Sequence, residues 1–163
     1  MAILVQKYGG TSLGDADKIK SVAQRVAHSR DAGNEIAVVV SAMGKTTDAL
    51  IALADSVSSG PEPREMDLLL STGEVVSSTL MAMALREIGV PSISMGGAQA
   101  GIRTDAAHGR ASIVHLDPAR VRHEMDGGAV VIIAGFQGVN EGMDVTTPGR
   151  GGSDTTGVAL AIA

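Results

Sequence analysis

Residues 35–41 read EIAVVVS. Five apolar side chains follow one another, four of them β-branched, so no polar face is left for water. A strand of this kind is buried on both sides, as in a parallel sheet covered by helices above and below. Residues 129–136, AVVIIAGF, form a second run of the same type. Outward from these two strands the periodicity changes. Residues 2–7, AILVQK, predict a strand near the start. Ile19, Val22, Ala23, Val26 and Ala27 then recur at helical spacing, with Asp15 as the expected N-cap and Gly33 as the stop. Leu50, Leu53, Ala54 and Val57 predict a further helix capped by Thr46 or Thr47. The breaker GPEPRE at 60–65 precedes a helical pattern over 64–88, in which Gly73 is expected to mark a kink or a break. PSISM (91–95) and SIVHL (112–116) predict short strands, and 96–111 a glycine-bearing loop. DPARVRHEM (117–125) predicts a short helix with Pro118 in its first turn. A glycine-rich stretch after residue 136 leads into a last helix. Strands alternating with helices around wholly apolar central strands imply an α/β fold, three layers deep, with a mainly parallel sheet.

Composition narrows the functions. The 163 residues are 44% hydrophobic and 19% charged, as expected of one globular domain. Tyr8 and Phe136 are the sole aromatic residues and the formal net charge is −5, so neither base stacking nor a basic phosphate-binding surface is available for nucleic acid. There is no cysteine, which excludes disulfides and thiolate metal sites. His28, His108, His115 and His123 are scattered and form no ligand pair, so no protein metal site is expected. No uninterrupted apolar run reaches the roughly 18 residues of a membrane span, and a cytoplasmic location is expected.

In a parallel sheet the ligand lies at the carboxyl ends of the strands. The first strand ends in KYGGTS, placing Lys7 before Gly9 and Gly10. Glycine amides approach phosphate closely and a lysine neutralises it, although a tight turn with an exposed lysine explains the same residues. The strand at 35–41 leads to SAMGKTTD, with Ser41 and Thr47 as donors or Thr46 and Thr47 as caps. Glu74 in STGEVVS is of interest only if it faces the same pocket. The glycine-rich PGRGGSD places Arg150 beside Ser153 and Asp154 at the start of the last helix, where either could also act as an N-cap. MGGAQAG (95–101) has the glycine spacing of a dinucleotide loop without its strand–helix setting.

VQKYGGTS, VVVSAMGKTTD, STGEVVS, AGFQGVN and TTPGRGGSDTT occur in this order and at spacings that closely resemble the aspartate kinases of the amino acid kinase family. The resemblance runs over essentially the whole chain. It implies the amino acid kinase (carbamate kinase-like) fold. It also implies transfer of the ATP γ-phosphoryl group to the side-chain carboxylate of L-aspartate, the first step toward lysine, threonine and methionine. Carried over residue by residue, Lys7, Gly9 and Gly10 are the phosphate contacts, and Asp154 orients Lys7. Ser41, Thr47, Glu74, Arg150 and Ser153 belong to the aspartate site. Mg²⁺ arrives with ATP. Pro148 stands where the family usually has leucine, and Gly157 where it usually has alanine. By the same resemblance residues 1–163 are the N-terminal, amino-acid-binding portion of a kinase domain. The fold is then expected to be incomplete at its C-terminal side, with the adenine site and ACT regulatory domains outside it, and to self-associate or pair with a second half. The alternative expectation is an aspartate- or anion-binding module without turnover.

Overall fold

The computed structural model describes residues 2–149 and 152–163. Its elements are β1 (Ile3–Tyr8), a single 3-10 turn (Gly10–Leu13), α1 (Ala16–Asp31), β2 (Glu35–Val40), α2 (Thr46–Val57), α3 (Pro63–Glu87), β3 (Ser92–Met95), β4 (Ile102–Thr104), β5 (Ile113–Leu116), α4 (Ala119–Asp126), β6 (Val130–Ala134), β7 (Gly138–Val139), β8 (Val145–Thr146) and α5 (Gly152–Ile162).

The two apolar runs pair with each other at the centre of a four-stranded, all-parallel sheet of order β1-β2-β6-β3. Alternation along β2 splits the core in two. Ile36, Val38 and Val40 face one way, into a cluster with Ile19, Val22 and Val26 of α1 and Met81 and Leu85 of α3. Ala37 and Val39 face the other way, toward Val121 and Met125 of α4 and Leu160 of α5. The expected three-layer α/β/α architecture therefore follows from strands with no polar face.

A second sheet, of order β5-β4-β7-β8 and mixed direction, packs Ile102 of β4 into the cluster that also holds Ala37 and Val39. It was not expected: β4 lies inside the stretch read as loop, and β7 and β8 have two residues each, too short for alternation to show. The glycines of MGGAQAG serve this junction. A Cβ at Gly97 would fall 2.4 Å from the Gln137 carbonyl oxygen, and one at Gly101 would meet the backbone of Asp117.

Four local expectations need correction. Thr46 and Thr47 do not cap α2; they are its first two residues, and the Thr46 hydroxyl turns back to the Met43 carbonyl at 2.6 Å. The stripe on α2 is not a core face, because Leu53 and Val57 are exposed. Gly73 breaks nothing. α3 runs unbroken over 25 residues, and Gly73 lets it approach β2's end so closely that a Cβ there would stand 2.9 Å from that of Ala42. Pro118 is the N-cap of α4 rather than a residue of its first turn. Asp15, by contrast, caps α1 as expected, its carboxylate accepting from the Lys18 amide at 2.9 Å.

By length and mean hydropathy α3 alone, among the described residues, could cross a membrane. It is instead the central helix of the fold. One face carries buried Asp67, Ser71 and Glu74 toward the loops beyond the strands, while Leu68, Val75, Val76, Leu80 and Met83 lie exposed on the outer side.

Candidate active site

The carboxyl ends of β1, β2 and β6 meet the start of α5, and most of the expected residues collect there. Lys7 is the penultimate residue of β1. Its stem runs over Gly157 of α5, where a Cβ would come within 3.7 Å of it, and its ammonium pairs with Asp154 at 2.7 Å. Ser41 directly follows β2, its amide donating to the Tyr8 carbonyl at 3.0 Å, and its hydroxyl shares a 2.8 Å hydrogen bond with Ser153. Ser153 and Asp154 therefore project from the first turn of α5 into the site, toward Ser41 and Lys7.

Gly10 and Gly44 bind the first two loops together. The Gly44 amide donates to the Gly10 carbonyl at 2.9 Å, and a Cβ on Gly10 would fall 2.5 Å from the carbonyl oxygen of Ala42. Any side chain at position 10 would force these loops apart. Gly9, just before it, has an extended backbone and leads into the 3-10 turn. Gly135 serves β6 in the same way: a Cβ there would meet that of Ser153 at 2.9 Å. The next residue, Phe136, has φ 60°, a left-handed conformation that a bulky side chain holds only when its surroundings impose it. The strand thus ends at Ala134, two residues earlier than its sequence pattern suggests.

Glu74 is the most informative member. Only 3% of it is exposed. Oε1 accepts from the Ala42 amide at 3.1 Å, while Oε2 is buried with no hydrogen-bond partner among the described residues. Loss of hydration pushes its carboxyl up to about 7, against the opposing pull of the Ala42 amide. A half-satisfied buried carboxylate is costly, and it is ready to accept from a cationic donor. Thr47 lies half-buried in the first turn of α2, after the same loop. Arg150 lies outside the described residues.

Two residues at this end of the sheet did not stand out in the sequence. Gln137 is buried, receives the Gly97 amide at 3.2 Å and donates to the Ser71 carbonyl of α3 at 3.0 Å. Asp67 is 1% exposed and accepts from His108, Gly109 and Thr147. A lone carboxylate in a helix normally reads as a solvated face. The available signal was its spacing: Asp67, Ser71 and Glu74 fall on one stripe of an otherwise apolar helix.

Residues 2–163 match the model of the amino acid kinase family. The chain is 56% identical over 163 residues to the aspartokinase of Geobacillus stearothermophilus, covering 100% of this chain and 40% of that protein. It is 53% identical over 164 residues to the aspartokinase of Mycolicibacterium smegmatis, covering 39% of it. Among solved structures it superposes on the aspartate kinase from Synechocystis with a TM-score of 0.83 at 50% identity, over 98% of this chain and 26% of that one. E. coli aspartokinase III in complex with aspartate and ADP gives a TM-score of 0.85 at 27% identity, over 99% of this chain and 46% of that one. The chain thus spans about 40% of the length of the curated relatives it matches.

Proposed function

Because the chain belongs to the amino acid kinase family, we propose that it holds the amino-acid and phosphoryl side of an aspartate kinase site, in the N-terminal portion of the kinase domain. The reaction is attack by a side-chain carboxylate oxygen of L-aspartate on the γ-phosphorus of ATP. A new O–P bond forms, the bond to the β–γ bridging oxygen breaks, and ADP leaves with that electron pair. The product is 4-phospho-L-aspartate, an activated acid suited to the start of lysine, threonine and methionine synthesis. The setting is the cytoplasm, where ATP is supplied with Mg²⁺.

A carboxylate of reference pKa about 3.9 is already ionised at neutral pH, so no general base is required. What the reaction needs is positive charge and amide donors where two anions meet. Lys7 supplies the charge. Asp154, at 2.7 Å, holds its ammonium at the end of β1. The Gly9 and Gly10 loop brings backbone amides to the phosphates. On the amino-acid side, Glu74 accepts from the substrate ammonium, Arg150 holds its α-carboxylate, and the hydroxyls of Ser41, Thr47 and Ser153 orient it. The observation that carries this reading is the buried, partnerless Oε2 of Glu74 at the edge that also bears the Lys7–Asp154 pair. A substrate ammonium satisfies that oxygen, which a simple dicarboxylic acid cannot do.

The test is hydroxamate trapping of the acyl phosphate with aspartate and ATP. Lys7→Ala is expected to lower kcat by about 10³-fold, or about 4 kcal/mol of transition-state stabilisation, with aspartate still bound. The coverage of about 40% of the relatives favours one alternative, an aspartate-binding module without turnover. Calorimetric binding of aspartate with no hydroxamate at any ATP concentration would establish that alternative instead.

A further inference from the structure

The site described above leaves a second buried carboxylate on α3 unused. We propose that Asp67 is a positioning residue for the aspartate side of the site: by gripping Thr147, six positions before Ser153 in sequence, it helps set where α5 begins, and with it Ser153 and Asp154. This inference rests on the aspartate kinase reading.

The Thr147 hydroxyl donates to Asp67 Oδ1 at 2.5 Å, and its carbonyl receives the Ala111 amide at 3.1 Å, so Thr147 is pinned from both ends. The carboxylate is itself oriented by the Gly109 amide, at 3.0 and 3.1 Å to its two oxygens, and by His108 Nδ1 at 2.7 Å to Oδ2. The described residues on either side of the start of α5 are in close contact. The Gly152 amide donates to the Gly149 carbonyl at 3.1 Å, and a Cβ on Gly152 would lie 2.3 Å from Pro148 and 2.8 Å from the Phe136 ring. The next two residues are Ser153, against Ser41, and Asp154, against Lys7.

A carboxylate that merely locked the second sheet to α3 would affect the whole fold evenly. The anchored segment is not evenly placed, however. In sequence it leads directly to Arg150 and Ser153, assigned to the amino acid, whereas the phosphate loop of Gly9 and Gly10 hangs from β1 and is braced by Ala42 and Gly44. Releasing Thr147 should therefore weaken the hold on aspartate through Ser153 and slow turnover through Asp154 and Lys7, while sparing the glycine-loop hold on ATP.

The test is steady-state hydroxamate kinetics on the full-length protein with Thr147→Val, which removes the hydroxyl at nearly constant volume, and Thr147→Ser, which keeps it. For Thr147→Val the KM for aspartate is expected to rise about tenfold while the KM for ATP stays within about twofold, and Thr147→Ser is expected to restore the aspartate KM. Should Thr147→Val not fold, His108→Ala removes one of the orienting donors and is expected to raise the aspartate KM about threefold with the same selectivity. An unchanged aspartate KM, or both KM values rising together, overturns the assignment. A wild-type protein with no aspartate-dependent turnover overturns the functional reading itself, before any variant is compared.

Discussion

Asp67 and Glu74 stand on one face of α3, about two helical turns apart, and both are almost wholly buried. Their surroundings differ completely. Both oxygens of Asp67 are engaged, by a hydroxyl, an amide and an imidazole drawn from two other segments. Glu74 has one amide on one oxygen and, among the described residues, nothing on the other. A carboxylate whose donors all come from the protein is part of the scaffold, whereas one left half-served in the same helix is a place for something that arrives from outside. On the proposed reading the helix separates support from recognition within a single stripe.

The largest effect expected from this contrast is on stability at Asp67. Asp67→Ala leaves buried donors unpaired and opens a void, and should cost about 4 kcal/mol in denaturant unfolding. A loss below about 1 kcal/mol would mean the grip is not structural at all. Glu74 should behave in the opposite sense. Its folded pKa is raised, from 4.5 to about 7, so the protonated form suits the fold. Its contribution is fully favourable below about pH 4.5, declines as pH rises through 7, and stays at the lower level above that. Glu74→Gln, which keeps the Ala42 bond, should therefore stabilise the protein by about 3 kcal/mol at about pH 8 and by almost nothing at about pH 4. Aspartate binding should carry the reverse dependence, since the ionised carboxylate meets the ammonium. Calorimetric affinity should fall by up to about tenfold per pH unit below 7 in the wild type and show no such fall in Glu74→Gln. The smallest effect concerns the spacing between α3 and the loop it serves. Gly73→Ala places a methyl group against Ala42 and should cost about 1 kcal/mol in thermal unfolding, while lengthening the Ala42–Glu74 bond.

How far the sequence reveals this arrangement depends on how local the cause is. The central strands are legible because five successive apolar residues admit one environment, and the cap at Asp15 because its partner is three residues away. Lys7, Ser41, Ser153 and Asp154 are legible as loop chemistry at the strand ends; the Lys7–Asp154 pairing comes from the family resemblance rather than from spacing, and the Ser41–Ser153 bond from neither, because both depend on α5 folding back over β1. Thr46 and Thr47 read as caps by composition, yet Lys45 holds that position and the Thr46 hydroxyl is turned to its own loop. Gly73 reads as a break because helical glycine is costly, whereas here the missing methyl admits another element. The second sheet escapes because pairs of residues carry no period, and Asp67 because its donors lie some 40 residues and more away in sequence.

The bond between Ser41 and Ser153 joins residues 112 positions apart, and the Lys7–Asp154 pair reaches farther still. Contacts that close such long stretches of chain repay their entropy only after nearer elements have formed. The β1–α1–β2 unit can assemble from neighbouring pieces, whereas the docking of α5 on β1 and β2 closes most of the chain. The candidate site is therefore expected to be completed late in refolding, after the helices and central strands are in place.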